Sequence, residues 1–435
     1  MSVIKIKSFG PIGVNSKSDD GLFTVNFSPV TVFIGHQASG KSTLAKLFSI
    51  FTFIEKILVR GDNLISNINN SFFQKLCKNQ EILEYFKTDT KIIYTGSIYN
   101  FEYESGTFKV TINNNSSTNY ILPKIQYISA ARNLLTILHE IPNDTIIQSN
   151  GSTVEMLSYI PTMVEQLNKE YTKSLSQLKE TEFKIPIGDK ISVFYKDRQT
   201  FIKTKNKQIS MSAASSGIQS ITPLLMVSSF LAKEVQKSWF DKLQPVSLIL
   251  KKRIENKILE IKDENLLEIF NLCQIYGEES LPADLTNDKK TLQQLSNILK
   301  QFLPSCFINI VEEPEQNLFP TTQAQVLYEL LKYKNENENN KLIITTHSPY
   351  ILTSLNNAIF AKDVFNKQHK YIEELSENKM VSFEDISAYK LEEGNIISIR
   401  DEETRLINAY QIDDCSIQID EIFSKLSELM EQNND

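Results

Sequence analysis

Residues Gly35-His36-Gln37-Ala38-Ser39-Gly40-Lys41-Ser42-Thr43 have the spacing G-x-x-x-x-G-K-[ST]. Such a loop suits a polyphosphate, because its glycines let backbone N–H groups turn inward around phosphate oxygens. A helix beginning at Lys41 adds a partial positive charge at its N-terminus. Lys41 then neutralises the β- and γ-phosphates, and the Ser42 hydroxyl ligates Mg²⁺. His36 is a tolerated variable position in this loop, with no catalytic role of its own.

Three further groups extend this chemistry. Glu312-Glu313-Pro-Glu315 ends the apolar run Cys306–Val311. Carboxylates at the carboxyl end of a buried strand point into the ligand crevice of an α/β sheet. Glu312 there holds Mg²⁺ or its water, and Glu313 orients and deprotonates an attacking water. His347 ends a second apolar run in Leu342-Ile-Ile-Thr-Thr-His347-Ser-Pro, placed to donate to a γ-phosphate. Ser215-Ser216-Gly217-Ile-Gln219 precedes an apolar helix, and a serine-rich turn at a helix N-terminus is a second anion cradle. One nucleotide seldom needs two cradles in one chain, so the economical arrangement has this turn close on the nucleotide of a second copy.

These groups need strands that end beside one another. Pro29–Ile34, Cys306–Val311 and Leu342–Thr345 are short continuous apolar runs, as strands buried on both faces require. Leu44, Leu47, Phe48, Phe51, Ile54 and Leu58 lie on one helical face after the loop. Val3–Ile12 and Phe23–Phe27 alternate as antiparallel strands, and residues 91–128 continue in that manner. Residues 145–182 read as helix, 190–210 as a hairpin and 224–303 as helices. Ile419, Ile422, Leu426 and Leu429 form one stripe of a terminal amphipathic helix. The expectation is an α/β fold with a mixed central sheet, an antiparallel β subdomain and helical insertions. Its divisions are 1–144 (first part of a nucleotide-binding head), 145–189 (helical protrusion), 190–223 (hairpin and serine turn), 224–303 (helical insertion) and 304–435 (second part of the head).

Composition narrows the class. The 435 residues are 41% hydrophobic, enough to bury a core, with no apolar stretch long enough to cross a membrane. Four dispersed cysteines argue against a disulfide framework or structural zinc and for a reducing, cytoplasmic setting. The net charge of −7 divides unevenly, with about +4 over residues 1–140, +5 over 141–260 and −16 over 261–435. A basic run, Lys196, Arg198, Lys203, Lys205 and Lys207, interleaves with Phe194, Tyr195 and Phe201. It reads either as a track for a phosphate backbone or as an exposed face whose aromatics enter the core. Lys251-Lys-Arg253 reads as surface.

In this order the motifs resemble those of the ATP-binding-cassette ATPases. Within them the chain is similar to the SMC-like branch, which includes DNA-repair ATPases and OLD-family defence nucleases. GHQASGKS looks like the Walker A motif, SSGIQ the signature, FINIVEEPEQNLFP the Walker B and D-loop, and TTHSPYIL the switch-histidine segment. SSGIQ stands where LSGGQ is usual, Glu312 where many relatives have Asp, and Phe319 where histidine is frequent. The resemblance implies ATP and Mg²⁺ as ligands, Glu313 and His347 as catalytic residues, and Ser42 and Glu312 at the metal. It places Ser215, Ser216, Gly217 and Gln219 across a homodimer interface and Asn317 in the D-loop. Gln126 would be the lever glutamine contacting Mg²⁺, with Arg132 as an alternative nucleotide sensor. Stand-alone ATPases of bacterial anti-phage systems, the PARIS ATPase subunit among them, are similar in lacking an arm. That implies a switch controlling a separate effector nuclease or toxin. The alternative is a DNA-repair or chromosome-associated ATPase acting on duplex DNA.

Overall fold

The computed structural model describes residues 2–114, 120–138, 162–178, 181–186, 191–197, 199–205, 207–243, 246–276 and 289–408. The terminal amphipathic stripe and the first part of the expected helical protrusion lie outside them.

Strands β1 (Ser2–Phe9) and β2 (Phe23–Phe27) precede the buried β3 (Val30–Gly35) and helix α1 (Lys41–Val59). Helix α2 (Asn70–Asn79) leads to β4 (Phe86–Thr95), β5 (Tyr99–Glu104), β6 (Thr107–Ile112) and β7 (Pro123–Ile128). Helices α3 (Leu134–Leu138) and α4 (Thr162–Ser176) come before β8 (Phe183–Ile185), β9 (Ile191–Lys196), β10 (Gln199–Lys203) and β11 (Gln208–Ser210). Among the described residues the chain goes on through helices α5 (Ser216–Glu234), α6 (Trp239–Leu243), α7 (Leu248–Ile261), α8 (Glu264–Tyr276) and α9 (Lys289–Leu299). The chain continues through β12 (Cys306–Glu312), α10 (Pro320–Asn335), β13 (Lys341–Thr346), α11 (Pro349–Gln368), β14 (Ile386–Glu392) and β15 (Asn395–Ser398).

The central sheet has the order β15-β14-β3-β13-β12-β7. It is parallel except for β15, so β3, β13, β12 and β7 end at the same edge. β12 is buried along its whole length, as its unbroken apolar run demands. A second, antiparallel sheet β2-β1-β4-β5-β6 covers α1. Between the two sheets, α1 is buried nearly all round, with Phe48 stacked on Phe27 at 4.1 Å and Phe51 on Tyr94 at 5.1 Å. The α/β architecture, mixed central sheet and antiparallel subdomain are those expected from the sequence.

The opposite face of the central sheet carries α4, α5, α10 and α11. Val164, Leu167, Tyr171 and Leu175 bury α4 in this core, so the described part of the expected protrusion packs on the head. Helices α6 to α9 enclose their own core around Ile254, Ile258, Ile269 and Phe270. Arg253, expected to be plain surface, joins this unit to the head through Asp62 and the carbonyl of Arg60.

Candidate active site

The nucleotide-type loop follows β3 directly. Gly35 and Gly40 have φ of 153° and 103°, conformations that exclude most side chains. A Cβ on Gly35 would lie 2.1 Å from the Leu391 carbonyl oxygen, so β14 leaves room there for glycine alone. His36, Gln37 and Ala38 are exposed at the rim, Ser39 is half-buried, and Thr43 is buried in the first turn of α1. The Ser39 hydroxyl is buried without a partner. Lys41 Nζ donates to the carbonyls of Gly35 (2.9 Å) and His36 (2.7 Å). Burial pushes the Lys41 pKa down to about 8, while Glu313, Glu315 and Glu312 favour its charged form.

Three strand ends bring the chemistry together. Lys41 Nζ lies 3.4 Å from His347 Nδ1, and His347 Nε2 lies 3.4 Å from Glu313 Oε1. An ammonium only donates, so Nδ1 accepts and the ring proton sits on Nε2, facing the Glu313 carboxylate. Glu313 adopts φ 44°, a left-handed conformation uncommon for its type, and its N–H donates to the Thr345 carbonyl of the neighbouring strand. This turn aims the carboxylate back over the sheet edge. Glu315, not singled out by its sequence position, accepts the His347 backbone N–H at 2.6 Å. Burial pushes its pKa up, and its second oxygen has no partner.

Glu312 differs from its neighbour. Its carboxylate is buried, accepting the Tyr127 hydroxyl at 2.6 Å and the Ala130 N–H at 3.0 Å. The Tyr127 hydroxyl also hydrogen-bonds Ser42. A single carboxylate and a serine hydroxyl suit Mg²⁺, which keeps several waters and takes its other ligands from phosphates. Gln126 stands apart. Its side chain lies on the α5 face of β7, donates to its own strand at the Tyr127 carbonyl, and pairs in register with Asn309, which reaches Ser228 of α5. Tyr127, one residue on, faces the loop.

Arg132 is fully buried and touches no rim of the site. Its guanidinium donates to the carbonyls of Glu312 (2.6 Å), Glu313 (2.6 Å) and Ser129 (3.3 Å), and to the carbonyl and hydroxyl of Ser220 (both 3.1 Å). It is a clamp between the carboxylate turn and α5, not a group awaiting a ligand.

The serine turn is preformed. Ser215 and Ser216 are exposed, and no side chain caps the start of α5. The Gln219 amide fixes the turn by donating to the carbonyls of Met211, Ser212 and Ala214. Gly217 is needed within its own chain, because a Cβ there would lie 2.8 Å from the Asn317 carbonyl oxygen. Asn317 is exposed, with φ 59°. The strand alternation puts α1 and α5 on opposite faces of the central sheet. The serine turn and the loop thus begin helices on different faces of one sheet.

The basic strands divide by face. Tyr195 packs on the core, whereas Phe194 and Phe201 stack at 5.3 Å, half-exposed, on the other face beside Lys196 and Lys203.

No helix among the described residues is long and apolar enough to cross a membrane. No family model and no curated protein matches the chain. Among solved structures it is similar to the SMC head bound to the C-winged helix domain of ScpA, at 9% identity and TM-score 0.37, over 92% of this chain and 98% of that one. It is similar to the SMC head domain from Thermotoga maritima, at 10% identity and TM-score 0.34, over 91% and 97%. A third likeness is to an SMC head with an extended coiled coil bound to the C-terminal domain of ScpA, derived from Pyrococcus furiosus, at 9% identity and TM-score 0.34, over 97% and 100%.

Proposed function

We propose that this chain is an ATPase of the ABC type and SMC-like branch, which binds Mg²⁺-ATP, pairs head to tail with a second copy around two nucleotides, and hydrolyses them. The observation that carries the reading is the meeting of Lys41, Glu313 and His347 at three adjacent strand ends, with the serine turn on the far face of the same sheet. The loop N–H groups and Lys41 hold the phosphates. Glu313 takes the proton of the attacking water. His347 and Lys41 stabilise charge on the transferring group. Mg²⁺, when bound, neutralises the phosphate oxygens, with Ser42 and Glu312 as its protein side. Phe319 and Tyr350 support an interface over this edge, being 73% and 51% exposed beside the D-loop and the switch histidine.

Ser216→Arg tests the shared site. It should abolish ATP turnover and dimerisation while leaving nucleotide binding to the Lys41 loop within about twofold, since a rim substitution changes little in the chain that carries it. Normal turnover would overturn the two-copy site. Lys41 adds a pH test. A triphosphate favours the ammonium form, and above about pH 8 the free lysine is neutral, so binding must take up a proton. ATP affinity should fall about tenfold per unit from about pH 8 to 10, and Lys41→Ala should lose that dependence.

In the cell we assign the switch to the cytoplasm and to control of a separate effector nuclease or toxin in anti-phage defence. Support for this is the resemblance to stand-alone defence ATPases. A second reading, an ATPase acting on duplex DNA, is favoured by the stacked Phe194–Phe201 pair among exposed lysines. It expects salt-sensitive DNA binding that Lys196→Glu with Lys203→Glu weakens at least about tenfold. Unchanged binding in that double variant would remove this reading.

A further inference from the structure

We propose that the cleft between the C-terminal halves of α10 and α11 and the segment 371–385 binds a small anion, whose phosphate or carboxylate group sits on the Lys334 ammonium. The cleft measures about 640 Å³ and is lined by Lys334, Lys362, Tyr371, Ser376, Val381 and Asp385 among others. That is the size of a small-molecule site.

Lys334 is the unusual group. It lies in the last turn of α10, where lysines normally reach into water. Lys332, two residues before it, does so and pairs with Glu329. Lys334 is instead only 9% exposed, and among the described residues no hydrogen bond or ion pair meets its ammonium. Burying an unpaired charge is costly. Burial accordingly holds the Lys334 pKa below the usual lysine range, with the Asp385 carboxylate partly opposing it. An anion entering the cleft would relieve the part of this deficit that Asp385 leaves.

The lining also sets the character of the ligand. Lys362 is half-buried, lines the same cleft and forms no ion pair among the described residues, its ammonium lying 5.4 Å from the Phe365 ring centroid, so a second lysine borders the site. Asp385 and Glu377 on the opposite wall limit it to one negative charge and favour hydrogen-bond donors beside that charge. Asn335 anchors this wall by donating to the carbonyls of Asn378 (3.0 Å) and Met380 (2.7 Å), so the cleft is built, not incidental. A monoanionic phosphate ester or an amino- or hydroxy-carboxylate fits these demands. Thirteen residues separate Lys362 from the start of α11, about 20 Å at 1.5 Å per residue, so the cleft is separate from the Lys41 site.

The test reads the lysine itself and does not depend on the ATPase reading. Lysines of the full chain are methylated with ¹³C, and the Lys334 signal is identified by its loss in Lys334→Arg. Asp385→Asn, which shifts the same signal, identifies it if the arginine variant does not fold. Inorganic phosphate, acetate and chloride are then titrated at matched ionic strength. Expected is a saturable movement of the Lys334 signal with phosphate or acetate but not chloride, and at least a threefold higher half-saturation in Lys362→Ala. The phosphate and acetate arms distinguish the two anion types. An unmoved signal, or equal drift with all three salts (an adventitious ion only), overturns the proposal. The Lys41 signal responds to ATP separately, so failure of the nucleotide site is seen on its own.

Discussion

Glu313→Gln is expected to lower ATP turnover about 10²–10⁴-fold, the usual contribution of a general base, while ATP binding is kept. The substitution removes a proton acceptor and little else. Glutamine is isosteric, and its amide oxygen can still accept from His347 Nε2, now 3.4 Å from Glu313 Oε1. The left-handed backbone at this position costs both residue types alike. Because γ-phosphate contacts persist when hydrolysis stops, the closed pair should accumulate with ATP, visible as a doubled mass by light scattering. Glu312→Gln should behave differently. Its buried carboxylate accepts two hydrogen bonds that an amide can satisfy only in part, so Mg²⁺ dependence should weaken along with turnover. Equal rates for Glu313→Gln and the natural protein would show that Glu313 is no base, and turnover at background level in both would leave a chain that binds ATP without hydrolysing it.

The contrast between the two glutamates marks what a sequence can and cannot disclose. Apolar runs ending in charged or glycine-rich turns place β3, β12 and β13, because a strand buried on both faces has no other composition open to it. The motifs at their ends are therefore readable in one dimension. Which side chain of a strand faces the loop is a matter of parity and register. Gln126 and Tyr127 are adjacent, and only the pairing of β7 with β12 puts Tyr127 on the Glu312 side. Period-two alternation from the buried Ile128 carried that signal, although polarity pointed to the glutamine. The Glu315 carboxylate was visible as the third acid of EEPE, but its burial depends on the His347 turn from another strand. Gly217 illustrates a further limit. Its type suits contact with a phosphate across an interface, and the fold gives it an additional local reason through Asn317. Arg253 reads as an ordinary surface cation because the docking of the insertion leaves no local pattern, and nothing local marks Lys334 as lining a cleft.

Arg132→Met should produce the largest loss of stability, about 3–5 kcal/mol, the range found when one side of a buried charged network is removed. Methionine approximates the length but supplies no donor, so carbonyls of Ser129, Glu312, Glu313 and Ser220 lose a charge-assisted partner together. Burial already pushes the Arg132 pKa down to about 10, with Glu315, Glu313 and Glu312 holding its charge in place. The guanidinium is thus tolerated inside only because its donors are met in several directions. Lysine keeps the charge but cannot span those directions from one nitrogen. Arg132→Lys should therefore fold with an intermediate loss, read as a lower urea midpoint with unchanged slope. Its kinetics separate packing from positioning. If the clamp sets where Glu313 points relative to α5, Arg132→Lys lowers turnover at saturating ATP more than it weakens ATP binding, because the loop around Lys41 makes no contact with it. A variant that loses stability but turns over normally would confine Arg132 to holding the fold. The Ser220 hydroxyl offers the check from the other side. It also donates to Gln316, at 3.3 Å, next to Asn317. Ser220→Ala keeps the bonds of Arg132 to the glutamate carbonyls and to the main-chain carbonyl at position 220 and removes only the hydroxyl's links to Arg132 and Gln316, so a turnover defect in that variant means that the contact with α5 is felt at the carboxylate.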